Sequence, residues 1–205
     1  MLAENLKSLY LDEWNRYVGH EFVRRMEHGD LPLENFKFYL VQDSLYVEEM
    51  LRAVMRSTEL MPNDMAIRIL SSVVLGRDKG METHAFLEKE LGVEKSSRMT
   101  MTTYSYTRHL RYSSTIGWPQ FLAAWIPCMW GYSEIGKTVL NSPNRYYRTW
   151  AEFYASKEYA DRVSVILEAM DRFNGDITEI KDYFLISLKF EQMFWQAALD
   201  MEKPI

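Results

Sequence analysis

The sequence contains a single cysteine, Cys128, in 205 residues. No internal disulfide can form, a reducing compartment is permitted, and the thiol is either a small buried hydrophobe or a reactive group. Basic charge is not in excess, since 24 Lys and Arg stand against 29 Asp and Glu for a formal charge of −5. That balance offers no footprint for a phosphate backbone, so nucleic acid is not expected as a partner. The densest basic stretch, Arg108, His109 and Arg111, reads as a solvated helix face. No apolar run approaches the length of about 18 residues that suggests a membrane span. The first ten residues mix Glu4 and Lys7 with apolar side chains, unlike a secretory signal. A cytoplasmic protein without membrane contact is the expectation.

Histidine is also scarce, and none of the four has a Glu three residues before it, which disfavours a helical di-iron site. His20 and His28 could in principle ligate haem, but a lone histidine is more often a hydrogen-bonded structural residue. Clustered zinc ligands and Gly-rich phosphate loops are missing as well. No metal or cofactor is therefore expected.

What is present is apolar: 47% of the residues are hydrophobic and 14% aromatic, enough for a sizeable core. Glycine and proline fall in few places, and between them the apolar spacing is helical with almost no strand signal. A first stripe, Leu2, Leu6, Leu9, Tyr10, Trp14, Tyr17 and Val18, ends near Gly19. After a turn at Gly29-Asp30-Leu31-Pro32, a long helix runs from Leu33 to about Leu60. Asn63 or Asp64 caps the next, which carries through Met81 to Leu91 with Gly76 and Gly80 as weak points or sites of close packing, and Gly92 ends it. Further helices are expected over 98–114, 119–140, 145–156, 158–173 and 178–201, punctuated by Gly117, Pro143 and Gly175. No repeat, low-complexity tract or linker divides the chain, so residues 1–205 are expected to form one all-α domain, a helical bundle.

Three polar residues fall on apolar helical faces. Asp43 follows Phe36, Tyr39 and Leu40 and precedes Tyr46, Val47 and Met50 at steps of three, four and seven, with Val54 continuing the same face. Glu191 follows Phe184 and Leu188 and precedes Phe194, Trp195 and Ala198, while Cys128 shares a stripe with Phe121, Trp125 and Tyr132. An ionised carboxylate in an apolar interior costs several kcal/mol unless paired, bonded or protonated. Two inward acids and the only thiol therefore point either to a cavity with a polar ligand or to local partners such as tyrosines, basic side chains or a helix N-terminus.

Motifs along the chain carry a resemblance. Gly29-Asp30-Leu31-Pro32 is followed by Phe36 and by the run Tyr39-Leu40-Val41-Gln42-Asp43-Ser44-Leu45-Tyr46. Then come Ser105-Tyr106-Thr107, Pro127-Cys128-Met129-Trp130-Gly131-Tyr132 with Ile135-Gly136, Phe153-Tyr154, and Glu191-Gln192-Met193-Phe194-Trp195. In this order and spacing they resemble the TenA (thiaminase II) family from end to end. Two departures stand out: His20-Glu21-Phe22 where the family more often has His-Pro-Phe, and Ser44 where an aromatic is common.

The resemblance implies a haem-oxygenase-like helical fold without haem, assembled as a homotetramer. Cys128 places the chain in the cysteine-containing branch, which hydrolyses 4-amino-5-aminomethyl-2-methylpyrimidine, or thiamine, to the hydroxymethyl compound in thiamine salvage. It implies Cys128 as nucleophile and Glu191 as acid/base, with a pKa raised by its aromatic wall. Asp43 would stay ionised and accept a hydrogen bond from the 4-amino group, while Tyr46, Tyr106 and Tyr154 would line the pocket. Trp130 and Tyr132 are expected as packing or pocket wall. A pyrimidine-binding regulatory protein of the same fold, and a haem or quinone-cofactor enzyme on the same scaffold, remain as alternatives.

Overall fold

The computed structural model describes residues 1–73 and 79–205, and among these the secondary structure is helical with one isolated bridge, Thr100 to Pro204. The helices are α1 (Leu2–Leu9), α2 (Leu11–Val18), α3 (Glu21–His28), α4 (Leu33–Ser57), α5 (Asn63–Val73) and α6 (Lys79–Leu91). After them come α7 (Met101–Ile116), α8 (Trp118–Val139), α9 (Arg145–Tyr154), α10 (Lys157–Met170) and α11 (Lys181–Asp200). Short 3₁₀ turns at Thr58–Leu60 and Ile177–Glu179 extend α4 and lead into α11.

Two expectations are corrected in detail. The first stripe is two helices, because the backbone departs from helical geometry at Tyr10 (φ −123°, ψ 39°). A helix stands over Glu21–His28 where none was expected. His20 opens it, its Nδ1 accepting from the Phe22 amide at 3.3 Å, so this histidine caps a helix. Of the helix expected from Asn63 to Leu91, the described parts, Asn63–Val73 (α5) and Lys79–Leu91 (α6), are helical, and Gly76 lies outside the described residues. The turn at Gly29 behaves as read: Gly29 adopts the left-handed conformation (φ 79°), and the Asp30 amide reaches back to the Arg25 carbonyl at 3.0 Å.

Helix α8 is the axis of the domain. Every residue from Phe121 to Met129 is buried, as expected of a helix that is apolar all round. Helices α2, α3, α7, α9, α10 and α11 pack around it, and α4 lies against α7 and α11. Gln42 pins the segment before α7 to α4, its Nε2 donating to the Arg98 carbonyl (3.1 Å) and its Oε1 accepting from the Thr100 amide (2.9 Å). The basic residues of α7 are not a bare solvated face. Arg108 and Arg111 reach Glu49 of α4 at 3.1 and 3.4 Å, and His109 Nε2 lies 3.0 Å from Ser187 Oγ.

Candidate active site

Two glycines let α8 be approached closely enough for a site to form. A Cβ on Gly131 would stand 2.2 Å from the ring of Tyr17, and one on Gly136 would stand 2.7 Å from Tyr154 Cβ and 2.8 Å from the Ala155 amide. Gly131 thus admits the Tyr17 ring across the helix, and Gly136 brings α9 against it with Tyr154 at its end. One turn before Gly131, Pro127 inside α8 has no N–H to give the preceding turn and sits one residue before Cys128.

The face of α8 bearing Cys128 and Tyr132 borders a cavity of about 340 Å³. Helix α4 supplies Asp43, Ser44, Tyr46 and Met50; α6 supplies His84 and Glu88; Phe153, Tyr154 and Tyr159 come from α9 and α10. A volume of this order falls within the usual range for small-molecule sites. Tyr106 and Glu191 are not on its surface. They lie behind it, where the Tyr106 hydroxyl donates to Glu191 Oε1 at 2.7 Å and Glu191, 1% exposed, interacts with Cys128 and Tyr17. The structure therefore brings Cys128, Asp43, Tyr46 and Tyr154 to one cavity and sets Glu191 and Tyr106 beneath the thiol. Tyr132 is pocket wall, whereas Trp130 packs on Trp14 and under the Lys7 ammonium, away from the cavity.

Burial controls the electrostatics. Glu191 is pushed up to about 8 by desolvation, against the opposing hydrogen bond from Tyr106 and with a further upward push from Asp43. Asp43, 3% exposed, rises to about 7 for the same first reason, against the hydroxyl of Tyr39 and helped upward by Glu88. Near neutral pH the Asp43 carboxyl is therefore poised between its protonated and ionised forms. His84 Nε2 stands 3.3 Å from Asp43 Oδ2 and 3.4 Å from the Tyr154 hydroxyl, yet that carboxylate oxygen completes no hydrogen bond. Cys128 is raised well above the ordinary thiol range by burial and by the Glu191 charge, with Tyr46 pulling the other way. The Tyr46 hydroxyl acts on the sulfur without completing a hydrogen bond of its own, and the Tyr17 hydroxyl is likewise unbonded. Burial also lifts Tyr17, Tyr39, Tyr46, Tyr106, Tyr132, Tyr154 and Tyr159 well above the usual phenol range, so all remain neutral hydroxyls able to donate.

His84, Tyr17 and Tyr159 are site residues that the sequence reading passed over. For His84 a signal existed: Gly80, His84, Leu87 and Leu91 are all buried at helical spacing, which puts the imidazole on the inward face of α6. The arrangement places a thiol at the cavity surface, a carboxyl behind it and a second carboxyl on the α4 wall, ringed by aromatic faces. It suits a flat polar heterocycle. Among the described residues no three His, Cys, Asp or Glu side chains gather as metal ligands do, and no helix is long and apolar enough to cross a membrane.

Relatives agree with this architecture over nearly the whole chain. The aminopyrimidine aminohydrolase of Bacillus subtilis is 26% identical over 213 residues, spanning 98% of this chain and 90% of its own. The enzyme of the same name from Helicobacter pylori is 23% identical over 212 residues, covering 96% of each. A TenA-like protein of Sulfolobus solfataricus superposes with a TM-score of 0.94 at 41% identity, covering 99% of this chain and 98% of its own. The model of the TENA/THI-4/PQQC family matches residues 10–201, and the chain belongs to that family.

Proposed function

We propose that the protein is an aminopyrimidine aminohydrolase that converts 4-amino-5-aminomethyl-2-methylpyrimidine and water to the 5-hydroxymethyl compound and ammonia, in thiamine salvage. The observation that carries this reading is the shared cavity of Cys128 and Asp43, with Glu191 in contact with the thiol from behind. The names of the Bacillus subtilis and Helicobacter pylori relatives support the same substrate class.

The chemistry follows from the geometry. A bond from nitrogen to a methylene on an aromatic ring breaks with difficulty, because the departing electron pair has nowhere favourable to come from. Addition of the Cys128 sulfur to the ring interrupts aromaticity, and the ring electrons then expel the amine. Water adds to the exposed methylene carbon and the sulfur leaves, restoring the ring. A buried thiol needs help to ionise, and Glu191 can take its proton when unprotonated and return it to a ring nitrogen or the leaving group. Tyr106 holds Glu191 in place through the 2.7 Å bond, and the Tyr46 hydroxyl steadies charge on the sulfur. Asp43 accepts from the 4-amino group; the unbonded Oδ2 is available for this, and pairing there draws the carboxyl toward its ionised form. Tyr154 and Tyr132 supply ring faces against the pyrimidine.

The assembly we expect is a homotetramer in the cytoplasm. Met101, Tyr104 and Tyr112 along the outer face of α7 are exposed apolar surface consistent with subunit packing, and light scattering on the purified chain tests it. The reaction is tested by incubating the protein with the aminomethylpyrimidine while following ammonia and the hydroxymethyl product. Undiminished turnover in Cys128→Ala refutes the mechanism, and absence of any turnover by the unaltered protein refutes the function.

A further inference from the structure

The wall of the cavity formed by α4 and α6 is a two-rung polar ladder. On one rung His84 Nε2 stands 3.3 Å from Asp43 Oδ2. On the next, one helical turn along α6, Glu88 Oε1 accepts from the Ser44 hydroxyl at 2.8 Å. Ser44 and Glu88 both border the cavity, and the Glu88 charge is near enough to Asp43 to raise its pKa. The proposed reaction uses Asp43 and leaves Glu88 without a role. A part-buried carboxylate held on a cavity wall by a serine presents acceptor capacity and charge to whatever occupies the cavity.

We infer that Ser44 and Glu88 form a specificity-determining subsite for a cationic substituent on the substrate, the protonated amine at the 5-methylene. The inference rests on the proposed aminopyrimidine reading and deepens it. On a pyrimidine whose 4-amino group is bonded to Asp43, the 5-substituent is attached to the neighbouring ring carbon and so lies beside Asp43 along the same wall. An alkylamine on that methylene is an ammonium at neutral pH, and a carboxylate there favours it over a neutral isostere. The ammonium is also the form that departs as ammonia without receiving another proton, so a group that keeps it charged favours bond breaking. The serine supports this by donating to one carboxylate oxygen and leaving the other for the ligand. Among the described residues, the other charges on the wall do not cancel the effect. Arg162 is engaged by Glu158 at 2.9 Å, and Lys95 and Glu48 are exposed residues of opposite sign.

The test uses the full-length chain carrying Cys128→Ala, so that bound ligands are not turned over, with dissociation constants measured by calorimetry for the aminomethyl and the hydroxymethyl pyrimidines. The expected result is tighter binding of the ammonium ligand than of its neutral isostere. Adding Glu88→Gln then reduces that preference about 10-fold, and adding Ser44→Ala reduces it by a smaller factor. Equal weakening of both ligands by Glu88→Gln, or weakening of neither, overturns the subsite while leaving the proposed function standing. Failure of the parent to bind either pyrimidine overturns both. Should Glu88→Gln fail to fold, Ser44→Ala and Glu88→Asp decide by the same ratio.

Discussion

Helix α4 carries two buried carboxylates, Asp43 and Glu49, with opposite surroundings. Glu49 is 8% exposed and receives three guanidinium groups, from Arg52, Arg108 and Arg111, the latter two at 3.1 and 3.4 Å. Asp43 is 3% exposed and faces one imidazole, with an oxygen that completes no hydrogen bond. Six residues are about 240° of helical rotation, so the two acids look out from different sides of the same cylinder. One joins α4 to α7 as a structural ion cluster. The other looks into a cavity together with a thiol and the unbonded hydroxyl of Tyr46. Burial alone does not mark a functional acid; burial with unfilled bonding capacity does, because a polar group left so is costly unless a ligand completes it.

That contrast can be broken or sharpened by experiment. The largest effect is expected for Cys128→Ala, which should lower turnover of the aminomethylpyrimidine by roughly 10³-fold or more if sulfur is the nucleophile. A product assay reads it directly. Glu191→Gln, which keeps the shape and the Tyr106 contact but removes proton transfer, should cost about 10²-fold in kcat, within the range typical of general acid and base groups. A loss confined to KM would place Glu191 outside the chemistry.

The pH dependence of stability probes the two acids at the site, Asp43 and Glu191. Asp43 and Glu191 have folded values near 7 and 8 against ordinary values of 3.8 and 4.5, so the folded chain holds their protons more tightly than the unfolded one. Their contribution is fully present below about pH 4 and is lost as pH rises through 7 and 8. Melting temperature should therefore fall between pH 5 and pH 8, and the Asp43→Asn, Glu191→Gln double variant should show a flatter profile. An identical slope in both proteins would contradict the assignment.

The smallest effect belongs to the structural cluster. Glu49→Ala should destabilise the fold by about 1–2 kcal/mol, between the values for exposed and fully buried pairs because the arginines are partly solvated. Turnover should stay within about twofold of the unaltered protein, since 1–2 kcal/mol of local stability leaves the chain folded. A large activity loss with little change in melting would mean that Glu49 reaches the site.

Much of this was legible in the sequence. Helical spacing placed Asp43, Glu191 and Cys128 on inward faces, and all three are buried. The long helices over Leu33–Ser57 and Trp118–Val139 were expected within a few residues of their ends. The break at Tyr10 and the short helix Glu21–His28 were not, since the first interrupts a stripe that stays apolar and the second is only eight residues long. Arg108 and Arg111 looked solvated because their partner, Glu49, lies about sixty positions earlier in the chain.

By itself the sequence determined which side of each helix is turned inward, because that depends only on the period of the α-helix and the cost of exposing apolar surface. Which inward groups meet was decided by the tertiary structure. Cys128 touches Glu191 from behind and shares a cavity with Asp43, while Glu49 finds arginines, because contacts between helices depend on how close their backbones come. On α8 that closeness is set at Gly131 and Gly136, where a methyl group would already collide with Tyr17 or Tyr154.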